Sequence, residues 1–213
     1  MKTPKSTTQP VVVAAVMAVL SLYSAPVLAQ KVSLSPTIGV YIPTQELLTS
    51  ASTGTLPKQE ISFTVGGRLG IWLGSRVGIE ASGDYAPSKL KFSAAGQSTQ
   101  DANILTGSGK VTVYLLPETG IVSFKVTGGV GLVQRSGTAY ANVIDKRDIG
   151  GTGGAALGFR LGPILSIVVG AEDYVYKPTF GGGLAGLAKM QHDVHLSFGI
   201  GIPLLGMGTT RRH

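Results

Sequence analysis

The sequence contains no cysteine. A disulfide framework, a CxxC redox motif, a thiolate metal site and a lipid-anchored N-terminal cysteine are therefore excluded. Charge is scarce as well: Asp, Glu, Lys and Arg make up 14% of the chain, while hydrophobic residues make up 43%. Together with a positive mean hydropathy of +0.29, this excludes an intrinsically disordered chain, which needs low hydrophobicity and high charge. Long apolar runs are missing beyond residue 22, so no later segment reads as a spanning helix of ~20 residues. Glycine, in contrast, is abundant at 31 residues. Each one inside a helix would cost roughly 1 kcal/mol against alanine, which argues against a helical protein. The glycines keep no three-residue period, so a collagen-like chain is excluded too.

The first 29 residues read as an address rather than as structure. Lys2 and Lys5 form a positive n-region, Val11 to Leu22 is an apolar run, and Val27-Leu28-Ala29 supplies small residues for cleavage before Gln30. This is the pattern of a cleavable secretory signal peptide over 1–29, with a single mature domain over 30–213. Removing Lys2 and Lys5 takes the formal charge from +7 to +5. No further domain is expected after the mature one.

The mature chain has the two-residue period of β-strands. Eight segments carry it, roughly Val32–Ile42, Ile61–Leu73, Arg76–Ala86, Ile104–Leu116, Ile121–Arg135, Gly150–Leu161, Ile164–Tyr176 and Gln191–Ile202. They are longer than the ~5–6 residues of a mean soluble strand and match the ~9–11 of a tilted membrane-crossing strand. Tight turns at 73–75, 117–120 and 161–163 alternate with long connections at 43–60, 87–103, 136–149 and 177–190. An even strand count with short and long connections in alternation is the pattern of an all-β, eight-stranded, antiparallel up-and-down transmembrane barrel.

The sidedness follows from parity. Ile61, Phe63, Val65, Leu69, Ile71 and Leu73 share one face, opposite Ser62, Thr64, Arg68 and Trp72. Val194, Leu196, Phe198, Ile200 and Ile202 alternate with Asp193, His195 and Ser197, and strand seven behaves alike. The polar face carries Arg68, Glu80, Lys110, Lys125, Arg160 and Glu172. Each such charge would cost on the order of 2–4 kcal/mol at the lipid midplane. Apolar residues outside and polar ones inside is the cheaper arrangement, and closure satisfies every backbone donor and acceptor. A three-residue turn at 73–75 sets Arg68 opposite Glu80. A four-residue turn at 117–120 sets Lys125 opposite Thr112 and Lys110 opposite Thr127. We therefore expect a lumenal polar network of Arg68, Glu80, Lys110, Lys125 and Glu172, preferred as a structural plug over a gate because eight strands leave room for little but side chains.

The signal-like leader, the eight strands, Val126-Thr-Gly-Gly-Val-Gly-Leu132, Gly150-Gly-Thr-Gly-Gly-Ala-Ala-Leu-Gly-Phe159 and Val194-His-Leu-Ser-Phe-Gly-Ile-Gly-Ile202 resemble the small outer-membrane β-barrel domain family, which includes OmpA-, OmpX- and OmpW-like barrels. The resemblance covers essentially the whole mature chain. It implies a bacterial outer-membrane location, with lipid and lipopolysaccharide as surroundings and the barrel-assembly machinery and periplasmic chaperones as partners during biogenesis. In that family the last strand usually closes the chain on an aromatic residue; here Phe198 to Ile202 resembles that signal, and Pro203 to His213 follow it.

His195 and Ser197 share a face and could pair with Glu172 or Asp193, as in lipid-cleaving barrels, but parity points them inward, so interior filling is preferred and no catalytic residue is assigned. His192, Asp193 and His195 offer only two co-facial ligands, short of a zinc site. Gly150–Gly154 lacks the Lys-Ser/Thr of a phosphate loop and reads as strand-packing glycine. The sequence pI of about 9.7 is spread rather than patched, which speaks against nucleic acid. Lys89, Lys91, Arg135, Lys146, Arg147, Lys177 and Lys189 fall near the external loops, where lipopolysaccharide phosphates would meet them. Tyr41, Phe63, Tyr85, Phe92, Tyr174 and Tyr176 are placed at the outer rim, and Phe124 and Phe159 at the inner one, with Trp72, Tyr114 and Tyr174 inward by parity. The functional expectation is a monomeric, cofactor-free structural or surface-interaction protein. Alternatives are a narrow pore or lateral route, a lipid-modifying enzyme, and a soluble periplasmic barrel.

Overall fold

Alternation along each strand decides which solvent each face meets, and closure decides where the polar half goes. The computed structural model describes residues 31–45, 57–92, 99–118, 120–141, 146–162, 164–179 and 188–205. The expected signal peptide and the end of the tail lie outside these described residues. The strands are β1 (Lys31–Pro43), β2 (Pro57–Gln59), β3 (Ser62–Trp72), β4 (Val77–Ala86), β5 (Lys89–Phe92), β6 (Gln100–Asp101), β7 (Asn103–Leu116), β8 (Val122–Ser136), β9 (Arg147–Arg160), β10 (Ser166–Tyr176) and β11 (Gln191–Leu205). Eight of them close into an antiparallel barrel in the order β1-β11-β10-β9-β8-β7-β4-β3, sealed by β3 against β1. The other three, β2-β5-β6, form a small sheet at the long-loop end, inside the connections 43–60 and 87–103 expected to be irregular.

The apolar faces point outward. Phe63 is 56% exposed and Val169 46%, and Leu69, Leu196, Phe198 and Ile200 share that outer wall. Arg68, Glu80, Lys110, Lys125, Glu172, Asp193 and His195 are buried inside. The core of this protein is thus a polar lumen, the reverse of a soluble barrel. Its upper half is also lined by a cluster of Tyr41, Ala86, Ile104, Val133, Tyr174 and Tyr176. Tyr41, Tyr174 and Tyr176 are therefore not rim residues; Phe63 and Tyr85 of the outer aromatic belt are exposed on the wall, and the Phe92 side chain lies outside the described residues.

Two registers differ from the expected ones. Leu73 donates its N–H to the Val77 carbonyl at 2.9 Å, which closes the first turn over 73–77 rather than 73–75. Arg68 then lies opposite Ser82, and Glu80 opposite Gly70. In the next hairpin the first pair is Leu116 with Phe124, a longer turn than 117–120, and an irregularity follows between Tyr114 and Leu116, so Lys125 opposes Tyr114 and Lys110 opposes Gly129. Each shift is two residues along the partner strand, which preserves every side chain's face.

Candidate functional site: the lumen and the external face

Five ionic side chains from five strands meet in the lumen. Arg68 on β3 lies 3.4 Å from Glu172 on β10. Glu172 also holds Lys110 of β7, which reaches Glu80 of β4 at 3.2 Å. Glu80 in turn holds Lys125 of β8. The result is an unbroken chain, Arg68–Glu172–Lys110–Glu80–Lys125. Its Lys110–Glu172 link crosses from β7 to β10, two strands that do not pair. Arg68 also donates to the Ser197 hydroxyl at 2.8 Å, and Lys110 to that of Ser82 at 3.3 Å. Such pairing is what keeps charges tolerable away from water. Glycine makes room for it: a Cβ on Gly170 would stand 3.1 Å from the Arg68 guanidinium and 3.3 Å from the Ser197 hydroxyl. Beneath the chain, Trp72 stacks on Tyr114 with ring centroids 4.4 Å apart, and the Lys125 ammonium sits 5.9 Å from the Trp72 ring.

A second polar level lies toward the long-loop end. Arg135 pairs with Asp148 and lies 5.1 Å from the Tyr176 ring. Tyr176 donates to Asp193 at 2.5 Å, and the Thr179 N–H donates to Asp148 at 2.7 Å. Arg135 therefore departs from its expected place: it is buried in the lumen and not at the surface. The signal was available, because Arg135 has the same parity as Lys125 along β8. Its place at a strand end suggested solvent, and its partner Asp148 belongs to the next strand. Asp84, Asp148 and Asp193 are lumenal acids that the expected network did not include.

His195 and Ser197 are both buried in the lumen. Ser197 donates to the Gly170 carbonyl at 3.3 Å and accepts from Arg68. The His195 ring lies between Tyr41 and Tyr174, with centroids 5.2 and 5.0 Å away, and neither of its nitrogens has a protein partner. No base–nucleophile bond joins the two residues. Among the described residues no three or more His, Asp or Glu side chains converge as a metal site would require.

The external end is folded as well. Gln59 of β2 donates to the Ala102 carbonyl at 2.6 Å, and Tyr140, in a short 3-10 turn at Thr138–Tyr140, donates to Gln59 at 2.8 Å. Three connections are thereby tied into a cap whose inner face is buried Leu90, Ala102 and Tyr140. Burial pushes the Tyr140 phenol up to about 12, so it remains a neutral donor. Lys89, Lys91, Arg147, Lys177 and Lys189 are exposed around this cap, and Lys146 is half-buried.

No curated protein matches the sequence. The fold is similar to the crystal structure of outer membrane protein OprG from Pseudomonas aeruginosa, at TM-score 0.65 and 12% identity over 82% of this chain and 96% of that one. It is similar to the solution NMR structure of outer membrane protein W of E. coli, at TM-score 0.52 and 14% identity over 82% and 98% of the two chains. A third similar structure is Ail, the attachment invasion locus protein of Yersinia pestis, in complex with the heparin analogue sucrose octasulfate, at TM-score 0.51 and 11% identity over 83% and 99%. At these identities the likeness is one of fold. The family model for the outer membrane protein beta-barrel domain matches residues 15–200. With a closed eight-stranded barrel, an apolar outer wall and an ionic lumen beside that match, the chain belongs to the outer membrane β-barrel domain family and is a bacterial outer-membrane protein.

Proposed function

We propose that this protein is a sealed barrel with a structural or surface-interaction role, acting through its external cap and outer rim and not through its lumen. The observation that carries the reading is the ion-pair chain Arg68–Glu172–Lys110–Glu80–Lys125, which crosses the lumen at one level. The Arg135–Asp148 pair and the tyrosine cluster lie above it. Toward the tight turns the lumen opens only as a vestibule of about 40 Å³, room for a few waters.

The same reading assigns no enzyme activity, because His195 and Ser197 face the lumen and not the bilayer where a lipid substrate lies. It also takes the chain as a monomer. A closed barrel has no strand edge left for a second copy to pair with. Its partners are outer-membrane lipid and lipopolysaccharide, with the assembly machinery and periplasmic chaperones during biogenesis. No cofactor enters the account.

Liposome swelling tests the reading. Vesicles carrying the protein should swell in small sugars or amino acids no faster than empty vesicles. Swelling that rises with protein content would overturn it in favour of transport.

A further inference from the structure

We infer that the cleft between the external sheet and the top of the barrel wall binds the phosphate of an outer-leaflet lipid, with Lys58 and Lys91 as its cationic ligands. The inference rests on the surface-interaction reading and names the ligand class of that surface. The cleft measures about 460 Å³ and is lined by Pro43, Lys58, Gln59, Glu60, Ile61 and Lys91. Its lower side is apolar: Ile61 is 66% exposed and heads the lipid-facing row that continues into Phe63, which pairs with Val40 of β1. Its upper side is basic. Lys58 on β2 lies directly opposite Lys91 on β5, and both side chains are turned outward.

Like charges directly opposite on paired strands are destabilising. Glu60 answers only part of that repulsion, since it pairs with Lys91. Lys58 has no acidic partner among the described residues. An anion seated between the two ammonium groups removes the repulsion. The position selects which anion: a phosphate attached to acyl chains can set its chains on Ile61 and Phe63 while its charge reaches the lysines. A freely soluble polyanion would leave the apolar side of the cleft unused. Glu60 fixes Lys91 in place but opposes the bound charge, which gives the site an internal sign test.

The experiment uses the full chain in phosphatidylcholine nanodiscs, titrated with dye-labelled lipid A carrying its phosphates and with the same lipid A after dephosphorylation. Lys58→Glu with Lys91→Glu should weaken binding of the phosphorylated lipid by at least about tenfold, the scale of lost charge-assisted contacts. Lys146→Glu with Arg147→Glu makes the same charge change elsewhere on the external face. It should cost less than about fivefold, the scale of a screened surface charge. Glu60→Gln should tighten binding, and the dephosphorylated lipid should not distinguish the Lys58/Lys91 double variant from the unmodified chain.

Equal losses from the Lys58/Lys91 and the Lys146/Arg147 double variants would overturn the site in favour of diffuse attraction. Full competition by soluble sucrose octasulfate would overturn the lipid as occupant. Weaker binding by Glu60→Gln would overturn the assigned geometry. Lys58, Lys91 and Arg147 are exposed and Glu60 and Lys146 half-buried, and retention of heat-modifiable migration on a denaturing gel verifies folding. Swelling of liposomes would refute the sealed-barrel reading while leaving these titrations unchanged, so the two failures are separable.

Discussion

Lys110 shows at the residue scale how the lumen is held. Its ammonium is shared by Glu80 and Glu172 and its side chain has no exposed surface. Removing one partner of a buried ionic set costs more than the set contributes, because the remaining charges stay desolvated. Lys110→Met should therefore lower unfolding stability in lipid vesicles by about 3–5 kcal/mol. A urea-unfolding loss below ~1 kcal/mol would mean that the carboxylates are hydrated and the chain of pairs is not closed. Neighbouring positions on β10 illustrate the sidedness. Gly170 leaves room for Arg68 inside the barrel, whereas Val169 faces out. Val169→Arg places a charge on the lipid face and should cost about 2–4 kcal/mol if it sits near the midplane. The same unfolding assay checks this, and no loss would contradict the outward assignment.

Among elements, the cap depends on contacts far apart in sequence. Gly137 has φ of 106°, and a Cβ there would stand 2.3 Å from the Asp101 carbonyl oxygen. Gly137→Ala should loosen the junction between β6 and the 3-10 turn. Limited trypsin digestion at Lys89 and Lys91 should then quicken while the barrel fragment stays intact. An unchanged digestion rate would show that the cap does not rely on that turn. The barrel strands themselves were legible, because a two-residue period in Ile61–Leu73 or Gln191–Ile202 needs only local sequence to be read. Which side of the wall Arg68, Glu80 and Lys110 occupy was equally legible from parity. Their pairing was not: the turn at 73–77 closes on a Leu73–Val77 hydrogen bond that residue types alone do not specify. The β2-β5-β6 sheet escaped notice because its strands are two to four residues long, and Gln59, Ala102 and Tyr140 meet only in three dimensions. Arg135 could have been placed by extending the parity of β8 to its last turn inward.

For the molecule as a whole, an apolar cylinder with an ionic interior is stable only where lipid surrounds it. Closure leaves no backbone group exposed to the bilayer, and in the proposed sealed-barrel role the external cap is the part that meets other molecules. Planar bilayers containing the protein should be electrically silent. Replacing Arg68, Glu80, Lys110, Lys125 and Glu172 together by serine, which removes the crossing pairs without leaving a net charge of more than one unit, should introduce conductance. Silence in that variant would place the barrier elsewhere, at the tyrosine cluster or the cap. Sidedness, on which all of this depends, can be read from the single tryptophan, Trp72, which is stacked inside the barrel on Tyr114. The decisive measurement is fluorescence quenching by lipids brominated along their acyl chains, comparing the unmodified protein with a Trp72→Phe, Val169→Trp variant. The account predicts that Trp72 keeps most of its emission while the tryptophan introduced at position 169 loses most of its own; equal quenching of the two would contradict an apolar exterior around an enclosed ionic lumen.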